Sequence, residues 1–133
     1  MITSFCLTGY SVRPRLPDNH FGGELFRAPF TRRDIVYSNA WFAQPNFDDG
    51  RAKLKAAALA SRGNVIILGH SLGARIACSL MDDEDMLEKC PPSRCVFVLG
   101  GHPDRKFNGA STVQYSGFVA AYGVDGIPDA CQY

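Results

Sequence analysis

Asn64-Val-Ile-Ile-Leu-Gly-His-Ser-Leu-Gly-Ala-Arg-Ile-Ala-Cys-Ser-Leu-Met81 is the stretch on which the fold turns. Val65 to Leu68 is a short apolar, largely β-branched run of the kind a buried parallel strand needs. From Leu72 the period changes, and Gly73, Ile76, Ala77 and Leu80 fall on one helical face. Between the two lies Gly69-His70-Ser71-Leu72-Gly73, a complete G-x-S-x-G. In a strand–elbow–helix of this type the serine takes a strained backbone conformation, and a Cβ at either glycine would collide with a neighbouring strand or helix. Such a turn lifts the Ser71 hydroxyl clear of the sheet. It also aims the free N–H groups of the helix N-terminus at an oxyanion developing beside it. The competing reading is a glycine-rich strand-to-helix turn that carries a serine by chance. The strand before and the helix after favour a nucleophile.

Upstream of this stretch, Ile2 to Leu7 reads as a first strand ended by Thr8-Gly9-Tyr10. Ser11 to Arg33 is a long connection with Pro14, Pro17, Pro29 and Gly22-Gly23, holding a short helix near Glu24 to Arg27. Loops of this length in small domains are usually functional or mobile. Asp34 to Ser38 reads as a second strand, followed by Ala40-Trp41-Phe42. Asp48 or Asp49 is placed to cap a helix running to about Ser61, with Leu54, Ala57 and Ala58 inward and Gly63 as terminator.

Downstream, the acidic run Asp82 to Asp85 would oppose the macrodipole at the end of the elbow helix. It is therefore assigned to the start of a second short helix, Asp83 to Lys89, as a solvated face. After Pro91-Pro92, Cys95 to Leu99 is a fourth strand ending at Gly100-Gly101-His102-Pro103, and Ser111 to Tyr115 is a fifth. The tail Phe118 to Tyr133 carries Asp125-Gly126-Ile127-Pro128. The alternation implies one α/β domain over residues 1–133, with about five mostly parallel strands and helices on both faces. In such sheets chemistry collects at the carboxyl ends of the strands. Those ends are Thr8-Gly9, Ser38-Asn39, Gly69 to Ser71, Gly100 to His102 and the segment after Tyr115.

Composition narrows the function classes. The chain has 133 residues, 20% of them charged, and a net charge of +1, so no polyanion-binding footprint is present and no nucleic-acid partner is expected. Arg13, Arg15, Arg27, Arg32 and Arg33 gather in the first quarter and read as a solvated loop rather than an anionic-substrate site. The first residues lack a basic n-region and a long apolar core, and no apolar run approaches the ~20 residues of a span. The expectation is a protein without signal peptide or transmembrane segment, cytoplasmic or released by another route. Five cysteines, with no C-x-x-C pair, indicate neither a zinc site nor a complete disulfide framework. Cys90 and Cys95 flank a Pro-Pro turn at bridging distance in sequence, but free thiols are preferred. No metal or cofactor is implied. A nucleotide-binding reading fails for want of a glycine-rich phosphate loop after the first strand.

Gly-His-Ser-Leu-Gly-Ala resembles the elbow of the α/β-hydrolases. The surrounding pattern is most similar to the compact cutinase-like branch, including the PE-PPE esterase domain of mycobacteria and the mycobacteriophage lysin B esterases. Ile35-Val36-Tyr37-Ser38 with Trp41, Asp48-Asp49-Gly50 and the following helix resemble the pre-elbow segment of that branch. Val96 to Arg105 with Asn108-Gly109 resembles its strand ending in a Gly-Asn-Pro turn. Val113-Gln114-Tyr115-Ser116-Gly117 resembles a Gln-Tyr-Asp-Gly, with Ser116 where the pattern has aspartate. Together these cover about two thirds of the chain. The resemblance implies a serine esterase of the lipase or cutinase kind, with Ser71 as nucleophile. It implies oxyanion donors at the Leu72 N–H and in the loop at Thr8, Gly9 or Tyr10, and Asp125 as acid, with Asp129 in reserve.

Histidine is where the chain departs from that pattern. Triad order in this fold is serine, acid, histidine, and no histidine follows Asp125; the chain has His20, His70 and His102. His70 precedes Ser71 and is expected to point away from the pocket. His102, at the end of the fourth strand, and His20, on the long loop, are the candidate bases, each with a competing structural role. The simplest account is a domain short at its C-terminus. The leading function is therefore hydrolysis of a small-molecule or lipid ester through an acyl-enzyme. The alternatives are a degenerate hydrolase-fold domain that binds an acyl or glycan ligand or a protein without efficient turnover, and a site completed by a second chain.

Overall fold

The computed structural model describes residues 1–9, 15–101 and 103. In chain order they form β1 (Ile2–Leu7), two 3-10 turns (His20–Gly22 and Glu24–Phe26), β2 (Phe30–Asp34), α1 (Ala43–Ala60), β3 (Asn64–His70), α2 (Leu72–Cys78), α3 (Glu84–Lys89) and β4 (Cys95–Gly100). Among the described residues the sheet has four strands in the order β2-β1-β3-β4, all pairs parallel. The register sets Ile2 opposite both Phe30 and Asn64, and Val65 opposite Cys95. The expected fifth strand, Ser111 to Tyr115, lies outside the described residues.

Alternation along each strand sorts side chains to two faces. On one, Phe5, Leu7, Val65 and Ile67 pack with Phe47, Leu54 and Ala58 of α1, Leu72 and Ile76 of α2, and Met86 of α3. On the other, Cys6 and Leu68 pack with Leu16, Phe21, Leu25 and Phe26 of the long connection. Among the described residues the two faces are covered differently. All three described α-helices share one face, and the second is covered by irregular chain and 3-10 turns. Pro17, Pro29 and the left-handed Gly22 and Gly23 explain why that connection does not coil into an α-helix.

The second strand lies earlier than expected, at Phe30–Asp34 instead of Asp34 to Ser38. An edge strand tolerates charge, and here Arg32 and Asp34 pair on the face above the connection. Arg32 Nη2 donates to Asp34 Oδ1 at 2.7 Å and to the Leu16 carbonyl at 2.6 Å, and its guanidinium lies 4.3 Å above the Phe26 ring. The apolar run that suggested a strand leaves the sheet at its rim, where the buried Ile35 donates its N–H to the Cys6 carbonyl at 2.9 Å.

Helix α1 starts five residues before the expected cap. Pro45 sits in its first turn, where a missing N–H costs nothing. Asp49 serves the preceding loop instead, accepting the Ser38 N–H at 2.8 Å. Asn46, fully buried, holds that loop from below: its Oδ1 accepts the Ala40 N–H at 2.6 Å and its Nδ2 donates to the Ala40 carbonyl at 2.9 Å.

The acidic run is also corrected in part. Asp83 caps α3, accepting the Met86 N–H at 3.3 Å, and its side chain, 8% exposed, pairs with Arg51 and Lys55 of α1. Cys6, Cys90 and Cys95 are free thiols, and burial pushes those of Cys6 and Cys95 up to about 12, so they stay protonated and unreactive. Cys78 is disulfide-bonded, against the expectation of free thiols. Among the described residues no helix is long and apolar enough to cross a membrane.

Candidate active site

The strand order fixes where a site can form. From β1 the chain crosses to β2 over one face, then returns past β1 to β3 and on to β4 over the other. The direction of winding reverses between β1 and β3, and a crevice opens at the carboxyl ends of strands at such a switch point. Thr8-Gly9 follows β1 there, and Ser71 follows β3.

Ser71 has φ 54° and ψ −117°, a region that L-residues rarely occupy. Three contacts hold it. Its N–H donates to the Gly100 carbonyl at the end of β4 (2.9 Å), and its carbonyl accepts from the Ala74 and Arg75 N–H groups at 3.0 and 3.2 Å, starting α2. The elbow glycines are bare because the backbone closes on itself. A Cβ on Gly69 would run into the Gly73 carbonyl and stand 2.8 Å from Ala74 Cα, and one on Gly73 would strike the carbonyls of Leu7 and Thr8. A Cβ on Gly9 would lie 2.7 Å from Ser71 Cβ and 3.3 Å from its Oγ. The backbone after β1 is thus drawn up to the hydroxyl. The Leu72 N–H is the first of α2 and has no carbonyl of the helix to donate to.

Of the expected site residues, the structure brings Gly9 against Ser71, with Thr8 and Leu72 as their chain neighbours. His20 sits in the first 3-10 turn with its ring centroid 4.7 Å from that of His70, edge to face at 79°. Tyr10, His102, Ser116, Asp125 and Asp129 lie outside the described residues.

Three residues at the site carry no flag in the sequence. Tyr37 donates its hydroxyl to the Thr8 carbonyl, and burial pushes its phenol well above the ordinary range, so it remains a donor. It ties the rim after β2 to the loop after β1; its signal was the apolar run Ile35 to Tyr37, which looked like strand. Arg75, one turn beyond Ser71 on the wholly buried α2, is 1% exposed, and nothing in its local pattern marks a buried guanidinium. Phe21 has φ 49° and reaches the carboxyl end of β4, where a Cβ on Gly100 would stand 2.9 Å from its ring. No family model, no curated protein and no solved structure matches this chain.

Proposed function

We propose that the chain is a serine ester hydrolase of the α/β-hydrolase kind, acting through an acyl-enzyme on Ser71. The observation that carries the reading is the backbone of Ser71, φ 54° and ψ −117°, held between β3 and α2 at the switch point of a parallel sheet. Strain of this kind costs about 1–3 kcal/mol and persists where the surroundings impose it, as they do at functional sites. In the proposed reaction Ser71 Oγ gives its proton to a base and bonds to the ester carbonyl carbon. The Leu72 N–H and the Thr8-Gly9 loop face the resulting oxyanion, the bond to the alcohol oxygen breaks, and water then releases the acid. Asp125 as acid and His102 or His20 as base belong to this proposal.

A second reading, ligand binding without efficient turnover or a site completed by a second chain, draws on one observation. The candidate base His20 has its ring packed on His70. Labelling with a fluorophosphonate decides between them. Covalent labelling of the wild type and none of Ser71→Ala supports the hydrolase; an unlabelled, folded wild type supports binding alone.

A further inference from the structure

Three consecutive residues of the long connection, Phe21, Gly22 and Gly23, have φ of 49°, 78° and 77°. Left-handed backbone costs a phenylalanine about 1–2 kcal/mol, so packing elsewhere must hold it. That packing falls on the two residues that set the Ser71 backbone. The His20 ring meets the ring of His70, which directly precedes Ser71. The Phe21 ring lies against Gly100, whose carbonyl accepts the Ser71 N–H. The His70 imidazole in turn lies along Gly100 and Gly101, where Cβ atoms would stand 3.5 and 3.2 Å from it. The His20 and Phe21 rings themselves meet edge to face at 4.6 Å.

We propose that His20 and Phe21 form a proton-sensitive latch that holds Ser71 in its strained conformation, and that protonating His70 releases it. As a statement about reactivity this rests on Ser71 being the nucleophile; as a statement about conformation it does not. A half-buried imidazolium at His70 is penalised by desolvation, whereas a neutral ring packs edge to face on its neighbour. His70 is held below its ordinary 6.5, first by burial and second by His20, so the packed state favours neutral His70. Among the described residues, the charges of the same connection are engaged. Asp18 pairs with Arg15 and Arg32, and Glu24 with Arg27. Apart from His70, the titratable group on β3 and β4 is Cys95, at the far end of β4. Opening swings Phe21 off Gly100, frees the Gly100 carbonyl to move, and lets Ser71 relax out of its left-handed well. His20 is a positioning residue in this scheme.

The test has two arms. In folded Ser71→Ala protein, nuclear Overhauser effects between the His20 and His70 rings should be present at about pH 7.5 and lost as pH falls through the lowered His70 value. Effects that persist once the His70 ring has taken up its proton overturn the latch, whatever Ser71 does. The second arm is the pH profile of fluorophosphonate labelling. His20→Phe keeps an aromatic edge without the charge. It should show at most about half of the wild-type decline in acid. An unchanged acid limb overturns the latch, and so does labelling abolished at every pH, which would make His20 the base. If the two rings separate in acid and the wild type is unlabelled at any pH, the latch stands as a conformational device and the nucleophile is rejected.

Discussion

Gly73 and Leu7 touch backbone to backbone: a Cβ on Gly73 would stand 2.5 Å from the Leu7 carbonyl oxygen, and 2.6 Å from that of Thr8. Helix α2 can lie this close to β1 only without a side chain at that point. Gly73→Ala must push the helix and the elbow apart, at about 1–3 kcal/mol by the usual cost of overpacking. Urea denaturation should show that loss, together with slower probe labelling of Ser71. Gly22→Ala makes a useful control. It has open space around it but φ 78°, so only the backbone cost of about 1–2 kcal/mol is expected.

Gly9→Ala tests the crevice. The new methyl would fall 2.7 Å from Ser71 Cβ and beside its hydroxyl, in the space proposed for an oxyanion. Labelling should drop by at least about tenfold, equivalent to about 1.4 kcal/mol of barrier. A labelling rate equal to wild type would remove the Thr8-Gly9 loop from the site.

Ser71→Gly should be more stable than the wild type. Glycine enters φ 54° without the Cβ penalty, a gain of about 1–2 kcal/mol set against the loss of one half-buried hydroxyl. The melting temperature should rise by several degrees while labelling disappears. A fall in stability would mean that the Ser71 side chain supports the elbow.

Asp83 separates a helix cap from an ion pair. Burial raises its carboxyl, but hydrogen bonds from Lys55, the Met86 N–H and Arg51 outweigh that and hold it below the ordinary 3.8. Its contribution to stability is therefore complete above about pH 3.8 and is lost as pH falls through the lower folded value. Asp83→Ala should cost about 1 kcal/mol or more as a lost cap. Asp83→Asn keeps an acceptor, so it should cost less at neutral pH and flatten the acid limb. Acid titration of the three proteins by circular dichroism reads both effects.

His70 acts at higher pH with the same sign. Its folded value lies below 6.5, so between the two values the unfolded chain binds a proton that the folded chain refuses. Stability should fall as pH drops below about 6.5 and level off once the folded value is passed. His70→Gln, measured by urea denaturation across this range, should be nearly flat.

The parts of the fold that were legible are those in which local pattern and tertiary role coincide. β1 and β3 are mostly buried runs bounded by glycine, β4 is an apolar run that ends in glycine, and the G-x-S-x-G placed Ser71 at its junction. β2 was displaced because its pattern is inverted: the charged Arg32 and Asp34 lie in the ladder, while Ile35 and Tyr37 pack at the rim. The start of α1 was missed because Asp49 faces the loop, and because Asn46 spends its amide on Ala40 rather than on a helix end. The positions of His70 and Phe21 against the end of β4 were illegible. They depend on bare backbone at Gly100 and Gly101.

The strand order has a consequence for how the chain reaches this structure. β1 is made first yet lies inside the sheet, and its two neighbours begin only at Phe30 and Asn64. Until the ribosome has passed β3, β1 has half its ladder unmade. Parallel pairings this distant close late and slowly. On a nascent or refolding chain, Ile2–Leu7 is therefore the segment that waits longest with its apolar side chains uncovered. Chaperone demand and aggregation should track the delay between its synthesis and the arrival of the elbow strand.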